Sequence, residues 1–297
     1  MKFRQTKPML VLVFLLLLSG CISSKLFVIN TLANLQDFTR IDDIAYGEHD
    51  LNQLSLYLPT QKKAPIATVV FFYGGCWGGC ILFEKESYAF VAQALTAHGY
   101  AVVIPDYRHY PEVKFAEMID DTKHAVEWVK THISEYGGDS HKIFLMGHSA
   151  GAHLAAMLTI NENYLPPATY HSIKGFIGLA GPYDFLPFTE AYQSVVFGPK
   201  ENYPASQPIN FVKGTEPPLL LLSGQNDETV KPRNTRRLFQ KVRQVGGCAE
   251  THEYPEMGHA DVLGALALPL QNQEPVLTDI IRFLDYYGHN DGRCKPT

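Results

Sequence analysis

The sequence has no apolar run long enough to cross a bilayer, no basic cluster, no internal repeat and no low-complexity tract. Its most apolar stretch, Met9–Leu18 (MLVLVFLLLL), would reach only about 15 Å as a helix, against a bilayer core of about 30 Å. Charged residues are sparse at 19 %, and the formal net charge is −5. A surface of that sign repels phosphate backbones, so nucleic acid is excluded as a partner. His252-Glu253 is not followed by a histidine three residues later, and the other histidines do not cluster at ligand spacing. No metal and no cofactor is therefore expected. What is present is apolar surface, 46 % of the 297 residues, enough to exclude a disordered chain, a collagen or a coiled coil.

Lys2, Arg4 and Lys7 ahead of the apolar run give residues 1–20 the form of a signal peptide rather than of a permanent span. Without those three cations, 22 basic residues face 30 acidic ones, or −8. Leu18-Ser19-Gly20-Cys21 resembles the lipobox of bacterial lipoproteins, which implies cleavage before Cys21 and a lipid on its thiol. The expected location is then the envelope, with the domain anchored to the membrane through Cys21. Ile22, rather than an Asp, follows that cysteine, which favours the outer membrane if the host has one. The alternative is an ordinary signal peptide with an incidental cysteine. Residues 21–40 read as a tether or short helix, 41–290 as one domain, and 291–297 as a tail.

Within the domain, Ile44–Tyr57 alternates polar and apolar residues around a turn at Glu48-His49-Asp50, predicting two antiparallel strands. Short apolar runs then predict strands at Ala67–Phe72, Ala101–Pro105, Lys142–Met146, Phe176–Ala180, Leu219–Ser223 and Glu250–Tyr254. Helical periods separate them, at Tyr88–His98, Phe115–Ile133, Ala150–Ile160, Pro232–Val245 and Val276–Tyr287. This alternation predicts an α/β fold, a doubly wound and mostly parallel sheet with helices on both faces. Residues 183–215, rich in Pro and aromatics, read as a cap-like insertion over one end of the sheet.

The chemistry falls at strand ends. Gly147-His148-Ser149-Ala150-Gly151 lies between a buried strand and an alanine-rich helix, the context of a nucleophile elbow. Serine needs a base and an orienting acid. Asp227 follows strand Leu219–Ser223, and His259 follows strand Glu250–Tyr254, in the order Ser, Asp, His of the α/β-hydrolases. Glu228 and Asp184 are the competing acids. After strand Ala67–Phe72 comes Tyr73-Gly74-Gly75-Cys76-Trp77-Gly78-Gly79, which lacks the spacing of a phosphate loop. It resembles the HGGG or HGGxW oxyanion loop of esterases and lipases, with Tyr73 in place of the usual His. That resemblance implies backbone donors at Gly75 and Cys76, joined by Ala150 after the nucleophile.

From about residue 44 to 287 the chain resembles the hormone-sensitive-lipase-like, feruloyl-esterase and kynurenine-formamidase group of α/β-hydrolases. Pro105-Asp106-Tyr107-Arg108 with Pro111-Glu112 is similar to a stretch of that group. The resemblance implies that Asp106 and Arg108 brace the oxyanion loop, with a surface turn and an ordinary ion pair as the alternative, and that Gly137-Gly138-Asp139 is structural. It implies a serine hydrolase acting on small-molecule carboxylic esters through Ser149, His259 and Asp227. A formamidase or amidase, and a catalytically silent binding protein on the same fold, are the alternatives. Pocket walls are expected from 183–215 and from 22–40. With Cys21 lipidated, Cys76, Cys80, Cys248 and Cys294 remain in an oxidising compartment. The pairs Cys76–Cys80 and Cys248–Cys294 are expected as bridges, with four free thiols as the alternative.

Overall fold

A computed structural model describes residues 22–60, 66–80, 83–290 and 294. The leader and Cys21 lie outside these residues. Helix α1 (Ile22–Asn34) is followed by β1 (Phe38–Ala45), β2 (Gln53–Pro59) and β3 (Ile66–Phe72). Next come α2 (Ala89–Thr96), β4 (Ala101–Pro105), α3 (Phe115–His132), β5 (Gly138–His148) and α4 (Ala150–Ile160). The chain continues through α5 (Pro167–Tyr170), β6 (Ile173–Leu179), α6 (Ala191–Val196), β7 (Leu219–Gly224), α7 (Arg233–Gln244), β8 (Ala249–Tyr254), α8 (His259–Gly264) and α9 (Val276–His289).

The strands form one sheet in the order β1-β2-β4-β3-β5-β6-β7-β8. The β1–β2 and β2–β4 pairs are antiparallel and the rest are parallel. This is the α/β-hydrolase fold. Val69–Phe72, Ala101–Pro105 and Leu219–Gly224 are continuously buried, because helices cover both faces of the sheet. A continuous apolar run therefore marks each central strand better than alternation would.

Two sequence expectations are corrected. Residues 22–40 do not line the pocket; they form α1 and the start of β1, in line with the short-helix alternative rather than the tether. Asn30 fixes the helix, with Nδ2 donating to the carbonyls of Leu26 (2.8 Å) and Ser87 (2.7 Å) and Oδ1 accepting the N–H of Phe90 (3.2 Å). Phe27 is 73 % exposed, and such an apolar residue on the outer side blurs the helical period. Strand β1 begins six residues earlier than the alternation suggests, at Phe38 rather than Ile44. A register shift between Ile41 and Ile44, with Asp43 at φ 54°, interrupts the two-residue period there.

Both expected bridges are present, with Cα atoms 5.3 Å apart at Cys76–Cys80 and 5.2 Å apart at Cys248–Cys294. The second ties residue 294 back to the entrance of β8. Gly137 ends the helical turn after α3 at φ 90°, and Asp139 accepts the N–H of His141 at 2.9 Å, so this loop is structural.

Candidate active site

Strand β5 meets α4 at Ser149, whose φ of 53° and ψ of −123° place a non-glycine residue in a sparsely populated region. The sequence permits this because both flanking glycines sit against backbone. A Cβ on Gly147 would lie 2.5 Å from the Gly151 carbonyl, and one on Gly151 would lie 2.1 Å from the Phe72 carbonyl oxygen. All eleven residues of α4 are buried, so the helix fixes the turn rigidly.

Ser149 Oγ lies 2.8 Å from His259 Nε2, and His259 Nδ1 lies 2.8 Å from Asp227 Oδ2. The carboxylate can only accept, so Nδ1 carries the proton and Nε2 is left to accept the serine hydroxyl. Asp227 is 1 % exposed, and its Oδ1 accepts the N–H groups of Thr229 (2.9 Å) and Val230 (2.8 Å). Its orientation is therefore held by its own loop. The competing acids are engaged elsewhere: Asp184 with Arg237 at 2.8 Å, and Glu228 with Lys231.

The loop after β3 runs beside Ser149, since a Cβ on Gly74 would lie 3.0 Å from Ser149 Cβ. Gly75 (φ 137°) turns the chain, and Cys76 and Trp77 follow at φ 54° and 55°. Cys76 and Ala150 line, with Ser149, a cavity of about 550 Å³. Ala150 is the first residue of α4, where no carbonyl four residues earlier is available to its N–H. The loop is braced through Tyr73, which donates from its hydroxyl to Asp106 Oδ1 (2.7 Å) and accepts from Tyr107 Oη at its carbonyl (2.8 Å). Asp106 also takes the Lys85 N–H at 2.9 Å and its ammonium at 3.1 Å. The expected brace thus exists at Asp106. Arg108 follows the alternative, an ion pair: it forms a fork with Asp121 of α3, at 2.9 and 2.7 Å, and makes no hydrogen bond to residues 73–79. The neighbouring contact is made instead by Tyr110, whose N–H donates to the Trp77 carbonyl at 2.9 Å.

Two histidines escaped the sequence reading. His148 packs against the His259 ring, centroids 4.8 Å apart, and donates from Nε2 to the His259 carbonyl at 3.0 Å. Burial, then the neighbouring His259, pushes it down to about 3, so it stays neutral beside the His259 ring. His153 donates from Nε2 to the Ser206 carbonyl (2.7 Å) and accepts the Trp77 indole N–H at Nδ1 (3.1 Å). Burial pushes it down to about 4. It joins α4, the oxyanion loop and the insertion at 183–215, whose Phe185 stacks on Trp77 at 5.5 Å. A polar ring inside the apolar stretch Ala150–Ile160 was the available signal. Among the described residues no group of His, Cys, Asp or Glu is placed to hold a metal ion.

The BD-FAE family profile matches residues 54–242, a span that includes Ser149 and Asp227 and ends before His259. A probable isoprenylcysteine alpha-carbonyl methylesterase of Oryza sativa subsp. japonica is 29 % identical over 273 residues, 84 % of this chain and 62 % of that protein. The probable carboxylic ester hydrolase LipM of Mycobacterium tuberculosis is 31 % identical over 254 residues, 77 % of this chain and 58 % of its own. The chain spans about three-fifths of the length of these two relatives. Among solved structures, a truncated carbohydrate esterase from gut microbiota has a TM-score of 0.72 at 21 % identity, covering 85 % of this chain and 97 % of that one. Thermogutta terrifontis esterase 2 has a TM-score of 0.68 at 23 % identity, covering 85 % and 92 %. Both share the fold.

Proposed function

The chain belongs to the BD-FAE family of the α/β-hydrolases, and from that premise we propose that it is a serine hydrolase of carboxylic esters. The observation that carries the reading is the unbroken chain Ser149 Oγ, His259 Nε2, His259 Nδ1, Asp227 Oδ2 at the edge of a cavity walled by the oxyanion loop. Ser149 attacks the ester carbonyl while His259 accepts its proton. Asp227 keeps the ring in the required tautomer and stabilises the imidazolium. The N–H groups of Gly75, Cys76 and Ala150 receive the oxyanion. His259 then protonates the departing alcohol, and water attacks the acyl-enzyme by the same route. The named relatives are esterases, which supports esters over formamides as the first substrates to try.

The test is labelling of Ser149 by a fluorophosphonate, together with hydrolysis of a p-nitrophenyl ester series beside aryl formamides and feruloyl esters. Labelling and ester turnover that both vanish in Ser149→Ala support the reading. Ligand binding without turnover or labelling overturns it in favour of a silent binding protein. The proposal extends to location: cleavage before Cys21 and lipidation of its thiol would place this chemistry at a membrane of the bacterial envelope.

A further inference from the structure

The cavity over Ser149 carries a cation without a partner. Of the arginines among the described residues, Arg40, Arg108, Arg236, Arg237 and Arg282 each touch a carboxylate. Arg233 and Arg243, both exposed, do not; of the two only Arg233 lines the cavity, and no acid, acceptor or aromatic ring engages it, although its neighbours Arg236 and Arg237 on α7 are both paired. The position is also wrong for a purely structural arginine. Arg233 is the first residue of α7, a helix with no acid in its first turn, and a cation at that end opposes the helix dipole. A local rule broken without a compensating contact points to a use outside the fold's own stability.

The surroundings define what the guanidinium can meet. Arg233 lines the cavity that Ser149 opens into, across a volume of about 550 Å³ that suits a small organic ester. Trp77, Phe185 and Tyr192 supply apolar and aromatic surface. Of the other charges on its walls, Lys231 and Glu228 neutralise each other. That leaves one free cation, Arg233, and one acid, Glu190, at the α6 side. A single carboxylate matches one guanidinium as a planar fork. A dianionic phosphate would bring a second negative charge that Arg233 alone does not match, in a cavity that already holds Glu190.

We propose that Arg233 is the anion-recognising residue of this cavity and that the ester cleaved at Ser149 carries a free carboxylate on its acyl or its alcohol part. The inference rests on the esterase reading above and names its substrate class.

Two pairs of esters separate charge from shape in the purified full chain. On the alcohol side, 4-acetoxybenzoate is compared with 4-acetoxybenzamide; on the acyl side, monomethyl glutarate is compared with the methyl ester of glutaramic acid. In at least one pair, the anion should be preferred by about tenfold or more in kcat/KM, corrected for spontaneous hydrolysis and expressed mainly in KM. The preference should shrink in about 1 M salt, where the Debye length is about 3 Å. In Arg233→Gln the ratio should fall to about one, and in Arg233→Glu the neutral ester should be favoured. Fluorophosphonate labelling of Ser149 and an unchanged melting temperature establish that these variants are folded. A wild-type ratio near one in both pairs overturns the proposal, as does a preference that survives Arg233→Gln. Absence of Ser149-dependent hydrolysis of p-nitrophenyl acetate overturns the esterase reading, and the proposal with it.

Discussion

The Cys76–Cys80 bridge makes a prediction that separates activity from stability. Cys76 and Trp77 sit at φ 54° and 55° within the loop that faces Ser149. Non-glycine residues held there cost about 1 kcal/mol or more each. The bridge, the Tyr110 N–H on the Trp77 carbonyl and the Phe185 stack hold them in place. Cutting the bridge with Cys80→Ser, or with the Cys76→Ser, Cys80→Ser pair that leaves no stray thiol, frees the loop to relax away from the oxyanion. The closed segment is short, with a sequence separation of 4, so chain entropy assigns it only about 2 kcal/mol. For a domain of this size that is a melting shift of about 3–4 °C. Loss of one oxyanion donor costs about 10²–10³ in kcat, so a loosened loop should cost at least about tenfold. Cys294→Ser is the counterpart. It opens a separation of 46, worth about 4 kcal/mol and about 7 °C, far from the nucleophile. Steady-state kinetics on a p-nitrophenyl ester, beside calorimetric melting, reads both quantities. An unchanged kcat in the Cys80→Ser protein would refute the view that the bridge positions the oxyanion loop.

Ser149→Ala and His259→Ala should each lower kcat by about 10³-fold or more without unfolding the protein. Asp227→Asn should be similarly disabled, whereas Asp184→Asn breaks only a surface pair with Arg237 and should keep most activity; the reverse ranking would move the acid to Asp184. Stability should fall in acid through His148 and His153, which the fold holds neutral at about 3 and about 4 while the unfolded chain binds their protons below about 6.5. Their contribution is complete above about pH 6.5 and is lost as the pH drops through the folded values, about 2 kcal/mol from each group by about pH 5. Urea unfolding at the two pH values should show this difference shrinking in His153→Gln, and an identical pH dependence in that variant would refute it. Cys21→Ser should leave unprocessed precursor that takes up no lipid, read by mobility and by fatty-acid labelling. Processing at an unchanged site, with release of soluble protein, would support an ordinary signal peptide.

The sequence by itself determined the elements that its local pattern constrains. Continuous apolar runs marked Ala101–Pro105 without error, the apolar helix Ala150–Ile160 was delimited to the residue, and glycines 147 and 151 marked the strained turn between them. Those features are legible because dihedral limits and burial act on neighbours along the chain. The order of Ser149, Asp227 and His259 placed three residues on loops at one sheet edge, yet Glu228 and Asp184 remained open rivals to Asp227. Only tertiary structure distinguishes their surroundings: it brings Asp227 within 2.8 Å of an imidazole 32 residues away and pairs Asp184 with Arg237 and Glu228 with Lys231. The same holds for the cysteine partners, for Arg108 turning to Asp121, and for the histidines at 148 and 153. Residues 22–40 stayed open between a tether and a short helix for a related reason: α1 is held through Asn30 to the turn before α2, 57 residues further on, and a contact at that distance leaves no period in the local sequence.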